Sequence, residues 1–427
     1  MFAAAIAVRP FTGPPTAAGT GAGRAECILG RMASDRSSGP EPLLWHGTAL
    51  FNLGFRPFYL LAALLAAAGI PLWLAQFFGG FSLPGPYAPM AWHAHEMVFG
   101  FAVAVIAGFL LTAARNWTGL PTPTRAPLAG LAALWLAGRV LMLTGPAWAA
   151  MVVDLAFLPV VAAALWLPLQ RSRNRNRLFV ALLLVLAAAN LAFHLAHSGM
   201  LGMAEITPVR VALYLVVLIV TVMGGRVIPS FTRNAIPGAR TRTIRPLDLS
   251  AIAVAAAAFV ALVVPLPAAI AGALCLFAAA LHAVRLWTWD PWRTRGTPIL
   301  WILHVSYAWI PIGLSLLGLH ALGVPVAAAL GDHALGTGAV GGMIIGMITR
   351  TARGHAGLPL QVNRSEVAAY VLVQLAALVR VAWPLLTPAA YVSALSVAGA
   401  LWSAAFLLYL VVYLPLLIAP RVDGRPG

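Results

Sequence analysis

From about residue 55 onward the chain alternates between long apolar stretches and brief polar punctuation. An α-helix of about 20 mostly apolar residues crosses a bilayer, and the stretches reach that length repeatedly. They predict helices over residues 56–78, 92–114, 126–145, 148–169, 178–199, 208–228, 249–267, 269–288, 298–321, 333–350, 365–386 and 391–419. No connection between them is long enough to hold a soluble domain. The expected fold class is an all-α polytopic membrane protein with about twelve transmembrane helices, all in one domain over residues 46–420. Residues 1–45 are rich in Ala, Gly, Pro and Arg and lack an apolar run of signal-peptide length. They are expected to be a disordered cytoplasmic tail, or to precede a true start at Met32.

Composition agrees with the pattern. Apolar residues make up 61% of the 427 and charged residues only 9%, against about 25% charged in soluble domains. The mean hydropathy is +0.91. Such a chain cannot clothe a globular core in a solvated surface. The net charge of +16 does not point to nucleic acid, because all 27 basic residues are Arg and they sit in short loops. With the N-terminus inside, every Arg except Arg139, Arg210 and Arg380 falls on the cytoplasmic side of the twelve helices. That satisfies the positive-inside rule and predicts a membrane protein with both termini cytoplasmic. Cys27 and Cys275 are too few for a disulfide framework.

The second and tenth predicted helices resemble each other without a gap. From His95 the text runs through Gly100, Gly108, Arg115, Gly119, Leu120 and Pro121; from His333 it runs at the same offsets through Gly338, Gly346, Arg353, Gly357, Leu358 and Pro359. Midway, Arg233-Asn234 echoes Arg115-Asn116. A shift of four helices keeps orientation, so the pattern predicts three parallel four-helix repeats, roughly residues 50–170, 171–290 and 291–420. Arg139 and Arg380 extend the repeat: each lies one helix beyond its histidine and at similar depth.

Intramembrane ionisable residues are costly and mark functional sites. Two neutral imidazoles from separate helices with two guanidinium groups nearby suit a haem b. His95 and His333 would be axial ligands, and Arg139 and Arg380 would neutralise the propionates. Two plainer readings stand beside this: Arg139 paired with Asp154 across a helical hairpin, and the histidines in ordinary interhelical hydrogen bonds. His93 lies about 200° round the helix from His95, so it faces another neighbour. With His194 and His197 at i,i+3 on the fifth helix, it would make a three-imidazole copper site. His282 and His304 lie on adjacent antiparallel helices toward the inside, with Arg285 and Tyr307 beside them. They suggest a second metal site or a proton relay, or else a hydrogen-bonded pair. His320 and Asp332 flank His333 as candidate second-shell groups. His46 and His355 read as solvated, Trp287, Trp289, Trp292 and Trp301 as interfacial anchors, and Gly224-Gly225 and Gly341-Gly342 as sites of close helix packing.

Several motifs in order resemble the NnrS family: Leu53-Gly-Phe-Arg-Pro-Phe58, Trp92-His-Ala-His-Glu-Met97 followed by Gly100-Phe101, Arg226-Val-Ile-Pro229 with Phe231-Thr232, Leu303-His304 with Tyr307-Ala-Trp309, and the His333–Pro359 segment. The resemblance covers about residues 48 to 419. It implies a bacterial inner-membrane protein containing haem and copper, tied to nitric oxide metabolism, denitrification and resistance to nitrosative stress. It leaves open whether nitric oxide is reduced, as by an oxidoreductase, or only bound, and it names no electron donor. The family's histidines carry over onto His93, His95, His194, His282, His304 and His333. Twelve helices in three parallel groups are also similar to haem–copper oxidases, although the sixth and seventh helices here lack the copper-binding histidines of those enzymes. The competing reading is a secondary transporter whose histidines bind a metal or small anion. In either reading the partners are the lipid bilayer and small molecules.

Overall fold

A computed structural model describes residues 48–423 of the protein. The expected tail, His46 and Cys27 lie outside the described residues. Among the described residues are twelve long helices and no strand: α1 (Phe55–Phe77), α2 (Pro89–Thr118), α3 (Arg125–Thr144), α4 (Ala147–Arg171), α5 (Leu178–His197), α6 (Ile206–Ala235), α7 (Arg245–Val263), α8 (Ala268–Trp287), α9 (Pro298–Ala321), α10 (residues 328–356), α11 (Arg364–Leu386) and α12 (Tyr391–Ile418). Eleven of them are long and apolar enough to cross a membrane, and the chain is a multi-pass membrane protein. Each coincides with an expected span. The largest difference is α6, which continues through Pro229 to Ala235.

The twelfth, α10, falls short in apolarity because it is rich in glycine, and the glycines have packing reasons. A Cβ on Gly338 would run into the Trp309 ring, and one on Gly346 would lie 2.9 Å from the Leu303 side chain. Small residues let α10 press against α9, as interhelical contacts in lipid require. The repeated Gly-Leu-Pro text likewise has a local cause. Gly119 and Gly357 end α2 and α10 in the left-handed region, with φ of 67° and 80°, where a side chain would be strained.

Consecutive helices pack on one another, while α2, α6 and α10 meet at the centre. The winding closes because α1 lies along α12. Arg56 fastens that seam, donating to the carbonyls of Leu417 (2.9 Å) and Ala419 (2.8 Å). These are among the unpaired acceptors at the end of α12, and a cation suits that end of the helix dipole. Outward faces carry large apolar side chains such as Trp148, Leu386 and Val411, which a bilayer rather than water covers.

Two helices depart from regular α geometry at matching places. In α2 a π-helical segment (Glu96–Ala102) begins directly after His95; in α10 one (Ala334–Gly341) begins directly after His333. The repeat in the text is thus a repeat in backbone shape. The central helix α6 has no such interruption. Local π turns are rare and concentrate at functional sites.

Candidate functional site

Polar groups gather in three places. The first lies among α2, α3, α4 and α5, near the end of the bundle that carries the α1–α2 connection. Gly138 brings α3 close to α4: a Cβ there would sit 3.4 Å from Cα of Asp154. Gly100, on the next turn after Glu96, leaves room for the guanidinium of Arg139, which would lie 3.0 Å from a Cβ at that position. Arg139 therefore donates to Glu96 Oε1 (2.9 Å) and forms a second ion pair with Asp154. The fully buried ring of His95 sits between the carboxylates, with Nδ1 3.1 Å from Glu96 Oε1 and Nε2 3.2 Å from Asp154 Oδ2. His194 Nε2 approaches the same Asp154 oxygen at 3.1 Å, and its Nδ1 meets the Tyr87 hydroxyl at 2.7 Å. Asn190 bridges the group, donating to Asp154 Oδ2 (2.6 Å) while its Oδ1 lies 2.9 Å from His95 Nε2. The ligand atoms of His95, Asp154 and His194 all fall within 4.8 Å of one another, and this buried cluster could hold a metal ion.

The second place is a cavity of about 380 Å³ bounded by α1, α2, α6, α10, α11 and α12. Its polar lining is His93, His333, Arg210, Asp332, Thr337 and Arg380; the rest is apolar and aromatic, including Trp73, Phe101 and Trp402. His93 stacks on Trp73 with ring centroids 3.9 Å apart, and its buried Nδ1 has no hydrogen-bond partner. His333 donates from Nδ1 to the Ala329 carbonyl one turn back (2.7 Å), which fixes the tautomer and leaves Nε2 with a free lone pair. Arg380 donates to the Tyr391 hydroxyl (3.2 Å) and keeps its buried NH1 unpartnered. Arg210 holds Asp332 (2.9 Å), which also accepts from Tyr214 (3.0 Å). Volume and lining fall in the range of small-molecule sites, an apolar pocket with a few placed polar groups.

The third place lies among α6, α7, α8 and α9. The Tyr307 hydroxyl joins His282 Nδ1 (2.7 Å) to Arg285 (2.8 Å), and Arg285 pairs with Asp248 (2.6 Å) beneath the face of Trp289. Gly224 and Gly225 make space for this group, facing the Tyr307 ring and the Arg285 guanidinium.

These placements revise several expectations. His95 and His333 do not share a site: His93 lines the cavity with His333, whereas His95 turns into the α2–α5 cluster. The rotation between residues two apart on a helix is the cause. The repeat pairs His95 with His333 in the text because both precede a π segment. Arg139 follows His95, and Arg380 stays with His333. The trio His93, His194 and His197 is likewise divided. His197 hydrogen-bonds Glu205 (3.0 Å) and packs on Tyr87, while His95 and Asp154 join His194. His282 and His304 do not pair, since His304 is held by the Thr232 hydroxyl at 2.9 Å. Asp332 supports Arg210 rather than His333, and His320 meets the Val326 carbonyl. Trp289 is fully buried, unlike an interfacial anchor, and His355 is half-buried against Phe55. Asn190 and Tyr87 escaped the reading of the text. Asn190 had a signal: it lies four residues before His194, on the same face of an otherwise apolar helix.

The class that fold and clusters define is a polytopic α-helical membrane protein with buried histidine–arginine–carboxylate sites inside the bundle. Residues 49–421 match the family described as NnrS protein, and the chain belongs to that family. No curated protein matches the chain. Membership suggests a role in the response to nitric oxide.

Proposed function

We propose that the protein is a haem- and copper-binding protein of the bacterial inner membrane that binds or turns over nitric oxide and protects against nitrosative stress. The observation that carries the haem reading is the cavity with His93 on α2 and His333 on α10. With the Nδ1 of His333 engaged by the Ala329 carbonyl, its Nε2 would be the nitrogen that holds the iron, since a partner at the far ring nitrogen fixes the tautomer. The cavity's charges also match the cofactor. Arg210, Arg380 and Asp332 sum to one positive charge, and a ferric haem with two propionates carries one net negative charge. Arg380 NH1, buried and unpartnered, is a ready donor to a propionate. A haem held by His93 and His333 would supply one-electron chemistry and an iron able to bind nitric oxide.

The chain's own residues do the rest. Trp73 orients the His93 ring, the Ala329 carbonyl orients His333, and the aromatic walls keep water out. The copper that the family resemblance implies would draw on the buried imidazole of the third cluster, His282, or on His304. Arginine on one side of the bundle supports cytoplasmic termini.

The test is the visible spectrum of detergent-purified protein, oxidised, reduced, and reduced with nitric oxide. A b-type spectrum lost in His93→Ala and His333→Ala but kept in His95→Ala is the expected result. No chromophore from haem-replete cells would overturn the reading and favour a transporter.

A further inference from the structure

The α2–α5 cluster has a proton count that does not close with neutral imidazoles. His95 faces acceptors on both sides of its ring: Glu96 Oε1 at Nδ1 (3.1 Å), and Asp154 Oδ2 (3.2 Å) with Asn190 Oδ1 (2.9 Å) at Nε2. The amide cannot be turned to help, because Asn190 already donates from its nitrogen to Asp154 at 2.6 Å. A neutral imidazole has one N–H. With that proton on the Glu96 side, the Nε2 lone pair confronts two oxygen lone pairs inside the protein. A second fact points the same way: with neutral imidazoles, Glu96, Asp154 and Arg139 leave one negative charge, and Glu96 Oε2 is buried without a partner. A positive charge at His95 Nε2, carried either by a second ring proton or by a metal ion shared with Asp154 Oδ2, resolves both.

The spacing suits a metal. Bonds of about 2.0–2.2 Å to nitrogen and oxygen at right angles place neighbouring donor atoms ~3 Å apart. Asp154 Oδ2 lies 3.2 Å from His95 Nε2 and 3.1 Å from His194 Nε2. Both imidazoles present Nε2, and each Nδ1 has an outer partner, Glu96 for His95 and Tyr87 for His194. That is the support that fixes tautomer and ring orientation in metal-bound histidines. Arg139 holds the other oxygen of Asp154 and so favours ligation through one oxygen.

We infer that His95, Asp154 and His194 form a mononuclear ferrous-iron site, with coordination positions left for a small ligand such as nitric oxide. Two histidines and one carboxylate, with no sulfur, are the donor set of non-haem ferrous sites rather than of cuprous ones. On binding, Fe²⁺ takes the two Nε2 lone pairs and one oxygen of the carboxylate. Any proton on either Nε2 moves to the corresponding Nδ1 or leaves to solvent.

The site is independent of the haem, and the experiment keeps the two apart. Purified protein is stripped with chelator and titrated anaerobically with ferrous iron, then separately with cuprous and zinc ions, and the bound metal is counted beside the haem. Nitric oxide is then added and the EPR spectrum taken. The expected result is one non-haem iron per chain and the high-spin signal that nitric oxide gives with such iron. Both should persist in His93→Ala, which lacks only the cavity histidine. His194→Gln keeps a polar contact to Asp154 and should weaken iron binding more than about 100-fold; Tyr87→Phe, which removes only the support, should weaken it about tenfold. Wild type that binds no iron, prefers cuprous ion to iron here, or binds iron equally well in His194→Gln would overturn the assignment.

Discussion

His93 and His95 stand two residues apart on α2 and belong to different neighbourhoods. His93 stacks on Trp73 at 3.9 Å beside the central cavity, while His95 reaches across to Asn190 on α5 at 2.9 Å. One helix therefore supplies a wall to each of two sites, and substitutions at the two histidines separate them experimentally.

Arg139 is the sole guanidinium between two buried carboxylates. Arg139→Ala should lower unfolding stability by about 3–5 kcal/mol, the cost of leaving a buried charge without its partner. Thermal unfolding in detergent measures this, and Arg139→Lys should recover part of the loss. A wild-type midpoint in Arg139→Ala would mean the cluster is not charged as described.

Crowding at α10 gives a second test. Gly338→Ala places a methyl group in the Trp309 ring, and overpacking of this kind costs about 1–3 kcal/mol. Gly130 lies on an exposed face of α3 with nothing within 4 Å of an added Cβ, so Gly130→Ala should stabilise by up to about 1 kcal/mol. Equal effects of opposite sign to these would contradict the packing.

In the third cluster, Tyr307→Phe removes the hydroxyl shared by His282 and Arg285. An expected destabilisation of about 1–3 kcal/mol follows from the buried groups left without a partner. The visible spectrum should be unchanged, because Tyr307 stands on α9, which does not line the cavity of the proposed haem; a lost spectrum would relocate the haem.

Arg380→Gln bears on the proposed haem. Losing a charged donor worth about 1.5–3 kcal/mol should weaken haem retention roughly 10- to 100-fold, read as haem per protein after dilution. Full retention would show that Arg380 does not meet a propionate.

The helices were legible because bilayer thickness demands long apolar runs, and nothing subtler is needed to see them. The sites were legible only in part. His333 with Arg380, and Arg139 with Asp154, follow from depth and hairpin geometry. The partner of His333 did not, because matching letters aligned His95 with it whereas helix rotation turns His93 toward the cavity. Nor did the trio around Asp154, since which side chains meet across α2, α4 and α5 depends on how those helices pack. The π segments leave no mark in hydropathy at all.

Those segments also carry a history. Each accommodates an extra residue in a helical turn, and in both α2 and α10 it begins at the same point, directly after the aligned histidine. An irregularity held in common at one place is most simply inherited. On that reading the insertion is older than the divergence of α2 from α10, and α6, regular throughout, lacks it.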